Sequence, residues 1–127
     1  MRVLRHAHRL TGPGGVFVDL TTVRPAAVVE LRGKPIGSLA QDAFLDQAEE
    51  TEAAVDLLIG EGVLVEEASR RHSVLKHFAS GPELIAEVAE RRVTRLPAEL
   101  QKLLETIDEP VVERAFCLIR RLRVQPG

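Results

Sequence analysis

The chain has 127 residues, 45% of them hydrophobic and 28% charged, with a net charge of −2. The length suits one domain with a modest core, and the composition excludes a mainly disordered chain. No apolar run reaches the roughly 18 residues of a membrane helix, the first residues lack the apolar stretch of a secretory signal, and the single cysteine, Cys117, excludes an intrachain disulfide framework; together these point to the cytosol.

Residues 2–11 and 16–22 read as two strands, and Gly12-Pro13-Gly14-Gly15 between them is a turn signal. The pair predicts an N-terminal hairpin over residues 1–24. Ala26 to Leu31 is too short for periodicity to decide between a helix and a third strand. Pro25, tolerated in a first helical turn, favours the helix. Ser38 and Gln41 have capping-box spacing and open a helix with Leu39, Ala40, Ala43 and Phe44 as its stripe. Asp46 with Glu49 repeats that logic for a further helix. Its core face is Val55, Leu58 and Ile59, with Ala48, Ala54 and Leu57 filling in. Gly60-Glu61-Gly62 ends it with a glycine free to take a left-handed cap. Val63-Leu64-Val65 reads as a short strand, residues 66–71 as a polar loop, and His72 to Phe78 as the returning strand.

The last third reads as helical. Ser80 and Glu83 form a capping box ahead of Leu84, Ile85 and Val88. Pro97 starts a helix carrying Leu100, Leu103, Leu104 and Ile107. Pro110 starts another, over 110–123, carrying Val111, Ala115, Leu118, Ile119 and Leu122. The expected fold class is therefore α+β, mainly α: a hairpin over 1–24, a core over 25–79, and a helical extension over 80–127 packed with that core as one compact unit. The stripes of the last two helices must bury something, either the core or a second copy in a homodimer.

From about Pro25 to Phe78 this order resembles a winged helix-turn-helix. Gly33-Lys34-Pro35-Ile36-Gly37-Ser38-Leu39-Ala40 looks like the start of the second helix, Asp46 to Glu61 the third, and Gly62-Val63-Leu64-Val65 the lead into the wing. Arg70-Arg71-His72-Ser73-Val74-Leu75 is similar to the wing's return strand in MarR-type regulators, whose dimerisation elements the later helices match. Val16 to Leu20, then Leu31-Arg32-Gly33-Lys34-Pro35-Ile36, then Ala54 to Val65 also resembles the order of PqqD-like domains, the RiPP recognition elements, which place strands before a winged-helix trio. That resemblance implies binding of a leader peptide as an added strand against the third helix.

The charge distribution argues against the commonest use of such a fold. Residues 42–67 hold nine acids and no Lys or Arg. A DNA-reading third helix sits in the major groove and draws affinity from phosphate neutralisation, which these carboxylates oppose. The favoured function is non-enzymatic binding of a basic protein or peptide partner. Glu49, Glu50, Glu52 and Asp56 would supply attraction, and Val16 and Val18 a strand edge. The alternative is a dimeric DNA-binding regulator gripping nucleic acid through the wing (Arg70, Arg71, His72, Lys76) and an N-terminal arm (Arg2, Arg5, Arg9). The basic run Arg114, Arg120, Arg121 and Arg123 can meet the acidic block of a second copy or of the same chain. No membrane partner is expected.

Other chemistry is weakly signalled. His6, His8, His72 and His77 do not make a converging metal set, so no metal or cofactor is expected. Cys117, beside Phe116 and Leu118, reads as a small buried hydrophobe. The Gly12–Gly15 turn lacks the Lys-Ser/Thr end of a phosphate loop. No catalytic residues are assigned.

Overall fold

The computed structural model describes residues 14–125. Of these, 42% are strand and 32% helix, so the chain is mainly β, which overturns the expected mainly α class. The order is β1 (Val16–Thr22), β2 (Val28–Leu31), β3 (Lys34–Ser38), α1 (Asp42–Gly60), β4 (Leu64–Phe78), α2 (Gly81–Ala89), α3 (Ala98–Glu105) and β5 (Val111–Val124).

The largest correction is β5. Residues 111–124 form a 14-residue strand where 110–123 was expected as a helix. Val, Ile, Phe and Cys favour a pleated, half-buried surface. The helical appearance arises because the buried positions change parity along the strand. Val111 and Glu113 are buried at its start, and Arg120, Leu122 and Val124 at its end. A period of two that slips once mimics a period near 3.6 over this length.

β5 is also the strand on which the others pair. β1 runs antiparallel to it from Val16 opposite Arg123 to Thr22 opposite Cys117. β2 does so from Val28 opposite Arg114 to Leu31 opposite Val111, and β4 pairs with it too. β2 and β3 form a hairpin with an irregularity after Val29. Its two central residues, Arg32 and Gly33, both have positive φ, 53° and 78°, the signature of a type I′ turn. Arginine is not a usual occupant there. Its guanidinium is held by Glu109 at 2.6 and 2.9 Å. Within the stretch from Ala26 to Leu31, Val28 to Leu31 is thus strand and no part is helix, and Gly33 to Ala40 holds the second hairpin strand, not a helix start. Pro25 lies between β1 and β2, preceded by a cis peptide bond, so it interrupts no ladder.

α1 is one helix where two were expected. It ends in a Schellman motif at Gly62 (φ 78°), with Val63 N donating to Leu58 O and Gly62 N to Ile59 O. β4 is one 15-residue strand where a strand, a loop and a second strand were expected. Its polar middle stays extended because it pairs with β5 while both its faces remain largely exposed.

The chain divides into two compact units. One holds residues 14–22, 46–72 and 117–125; the other holds 23–45 and 73–116. The first is centred on Val55, Leu64, Leu122 and Val124. The second is centred on Val29, Leu84, Leu104 and Val111, with Ala27, Leu39, Phe78, Val88, Leu100 and Ile107 around them. In the second unit α2 has the expected cap, Glu83 N donating to Ser80 Oγ at 3.3 Å. Leu84 and Val88 are buried as expected, and α3 contributes Leu100 and Leu104. Gln41 is buried there and accepts from Ala27 N at 2.9 Å, satisfying a backbone donor next to β2.

Gly81 fixes the approach of α2 to the end of α3. A Cβ there would lie 1.9 Å from the Leu104 carbonyl oxygen, whereas one at Gly60 would meet nothing within 4 Å. Gly81→Ala is expected to lose about 1–3 kcal/mol of stability by overpacking. Gly60→Ala should stay within about 0.5 kcal/mol of wild type. Denaturant titration of both variants checks this, and equal losses would contradict it.

Candidate functional site

In the first unit the helical stripe of α1 that buries Val55 also carries Glu52 inward, three residues earlier. On β5, Arg120 shares the parity of buried Leu122 and Val124. In the β1 ladder it lies opposite Asp19. The result is a guanidinium only 6% exposed amid four carboxylates. Arg120 Nη1 donates to Asp56 Oδ1 at 2.7 Å, and Nη2 donates to Glu52 Oε2. Asp19 Oδ2 lies 3.9 Å from Nε, and Glu66 Oε1 3.6 Å from Nη1.

Burial works against the Arg120 cation, but the hydrogen bond to Asp56 and the surrounding carboxylates hold its pKa above the ordinary value. Glu52 goes the other way. Desolvation, reinforced by a hydrogen bond to Asp19, pushes it up to about 7 against the opposing pull of Arg120. Glu52 Oε1 and Asp19 Oδ2 are buried and otherwise lack partners. One proton held between the two carboxyl groups gives both oxygens a partner.

This cluster answers where the acidic block goes. Glu52 and Asp56, expected to attract a basic partner, are bound to Arg120 of the same chain. Glu49 is also engaged. Glu50 is exposed on α1. Of the C-terminal arginines, Arg121 and Arg123 both grip Glu67, at 3.0 and 2.5 Å. The Arg123 hydrogen bond leads the effects that hold the Glu67 carboxyl below the usual range. Arg114 instead pairs with Glu30.

Val16 and Val18 are brought together with Leu20 on one face of β1. They are exposed by 38%, 65% and 61% respectively. Their β5 neighbours are Arg123, Arg121 and Ile119. An apolar row on a strand, flanked by the arginines that clasp Glu67, is a surface that can receive another chain. Leu57, expected to fill the α1 core face, is 62% exposed instead.

The residues expected to grip DNA do not form a wing. Arg70, Arg71 and His72 lie on continuous β4, the two arginines exposed and His72 half-buried. Lys76 faces Glu87 at 3.5 Å. Arg2, Arg5 and Arg9, the first predicted strand, His6 and His8 fall outside the described residues. Among the described residues no group of three His, Cys, Asp or Glu side chains can hold a metal ion, and no helix is long and apolar enough to cross a membrane. Cys117 is buried, and desolvation raises its thiol against a hydrogen bond with Thr22, so it is a poor nucleophile.

Sequence reasoning missed the polar centre of the second unit. Arg91 reaches from the end of α2 to Glu113 of β5 at 2.7 and 2.8 Å, and pairs with Glu87 one turn back. The hydrogen bond to Glu113, ahead of the desolvation that opposes it, keeps the Arg91 pKa high. Beside it is an open cleft of about 440 Å³ with Arg92, Thr94, Arg95 and Gln101 at its polar rim and Ile85, Val88 and Leu96 as apolar lining. The Arg91-Arg92-Val93-Thr94-Arg95 run was the available signal. Compared with protein-family models, curated proteins and solved structures, the chain matches none.

Two outcomes follow for the Arg120 cluster. Arg120→Met should cost about 3–5 kcal/mol at neutral pH, because it strands buried carboxylates without their cation. Denaturant unfolding measures this, and a neutral effect would show that the cluster is dispensable. Glu52 keeps its proton to about pH 7 when folded and to about 4.5 when unfolded. Between those values the folded state binds the extra proton, so stability declines as pH rises through the window. Glu67 and Glu87 are held below the ordinary carboxylate range, so they act at lower pH. Melting temperatures of wild type and Glu52→Gln from pH 4.5 to 8 should differ in slope, the variant being flatter. Identical slopes would remove Glu52 from the explanation.

Proposed function

We propose that this protein works by binding rather than by catalysis, taking a peptide or protein partner on the exposed face of β1. The observation that carries this reading is the apolar row Val16, Val18 and Leu20, with the last two more than half exposed on a strand that is ordered by its full ladder with β5. Folding leaves that row in water. A partner that covers it gains hydrophobic free energy at little ordering cost to β1.

The partner's chemistry differs from the sequence-based expectation. Glu52 and Asp56 are already paired with Arg120, so a basic partner gains little from them. The fitting partner is an extended segment with apolar side chains at alternate positions, which match the two-residue period of the row.

The test is selection of a displayed peptide library on wild-type protein, followed by binding of the enriched peptides to Val18→Asp/Leu20→Asp. The expected result is enrichment of alternating apolar sequences whose affinity falls about tenfold or more in the variant. Peptides insensitive to the variant, or no enrichment, would overturn the reading. So would salt-sensitive binding to a random-sequence DNA duplex that the β1 variant leaves unchanged, which would favour a nucleic-acid role instead.

A further inference from the structure

β4 is a second surface of a different kind, separate from the β1 face. Within the first unit β5 has β1 on one edge and β4 on the other, since the ladder with β1 occupies Cys117 to Arg123. Among the described residues β4 has no ladder partner besides β5. Its stretch from Glu66 to Arg71 is exposed residue after residue. It contains no proline or glycine. Natural sheets protect such edges because a row of free N–H and C=O groups templates pairing with another strand.

The sequence along that edge is self-complementary in charge: Glu66-Glu67-Ala68-Ser69-Arg70-Arg71. The acids have partners in their own chain, with Glu66 near Arg120 and Glu67 held by Arg121 and Arg123. Arg70 and Arg71 form no ion pair among the described residues. We infer that β4 pairs antiparallel with β4 of a second copy, joining two chains edge to edge through residues 66–71, with Arg70 and Arg71 of each reaching Glu66 and Glu67 of the other.

The geometry restricts the register. A two-fold axis between antiparallel strands of one continuous sheet is perpendicular to the sheet, so directly opposed residues share a face and their numbers share a parity. The axis then passes through Ala68 or through Ser69. Centred on Ser69, Glu67 faces Arg71 directly and Glu66 meets Arg70 on the diagonal. Centred on Ala68, Glu66 faces Arg70 directly and Glu67 meets Arg71 on the diagonal. Either register brings each acid within cross-strand reach of an arginine. A one-residue slip breaks the face matching, so the pairing is specified by both charge and pleat.

The experiment is light scattering of the full chain over a range of protein concentrations, at low and high salt. The wild-type protein should show the mass of two chains, with dissociation promoted by salt. Arg70→Glu/Arg71→Glu, two substitutions on exposed side chains, should raise the dimer dissociation constant at least about tenfold, because like charges then face each other across the pair. Its circular dichroism should match wild type, and so should its melting at a protein concentration low enough for both to be monomeric. Ala68→Cys and Ser69→Cys give a positive marker. Opposed residues of antiparallel strands have Cα atoms within disulfide reach. In a glutathione redox buffer, the variant whose position lies on the axis should form a disulfide-linked dimer. A monomeric wild type at every concentration would overturn the inference. So would a dimer unaffected by the charge variant, or one in which neither cysteine variant cross-links.

Discussion

β5 has to serve two cores with one backbone. Its residues alternate between faces, so burying one set at the start and the other at the end requires both faces to carry apolar side chains. Val111 meets this need in the second unit, and Leu122 and Val124 in the first. The remaining strands depend on the same backbone. β1, β2 and β4 all take ladder partners from β5, and β3 reaches it only through β2. A substitution that shifted β5 by one residue would therefore exchange buried and exposed sets in both units at once.

Each part of β5 also buries an ion pair. In the first unit Arg120 neutralises carboxylates from α1 and β1; in the second, Glu113 takes Arg91. Such pairs contribute little net stability beyond hydrophobic replacements, but breaking one is costly, since the abandoned charge stays buried. Their consequence here is specificity of register. Arg120 finds Asp19 opposite and Glu52 above only when α1 and β1 are both in place. The surplus of acid over base in the cluster is relieved by protonation of Glu52 near neutrality, as expected where like charges share a desolvated site.

Internal pairing of the acidic block moves the candidate interaction surfaces away from α1. Among the surfaces that folding leaves exposed are the apolar row of β1 and the long edge of β4. They are distinct in chemistry. The β1 row offers area without charge, suited to apolar side chains at alternate positions. The β4 edge offers main-chain groups and a charge sequence complementary to itself. A self-paired β4 would leave the β1 face free, so an assembled dimer would present two copies of that face. Two linked copies bind a divalent partner more tightly than either alone by raising its effective concentration.

The local signals in the sequence were sound where one principle acted alone. The Ser80 cap, the glycine-terminated end of α1 at Gly62, the β1 strand, and burial of Leu84, Val88, Leu100 and Leu104 were all legible, because capping chemistry and amphipathic spacing are short-range. The pairing of the acidic block with Arg120, Arg121 and Arg123 within one chain was legible as one of two options, and only folding selects between them. The sequence failed where long-range pairing overrode local pattern. The buried set of β5 changes parity along the strand, with Val111 and Glu113 buried at its start and Arg120, Leu122 and Val124 at its end, and the change imitates a helix. The polar middle of β4 reads as a loop because nothing local shows that β5 lies alongside. Arg32-Gly33 does not announce a hairpin turn because arginine is rarely seen in a type I′ turn, and Glu109, which holds it, lies far along the chain. The sequence by itself determined the caps, the apolar inventory and the charge blocks. Tertiary structure decided which segments became strands and which charges were spent internally, because ladder bonds and buried ion pairs join residues whose separation along the chain leaves no periodic trace.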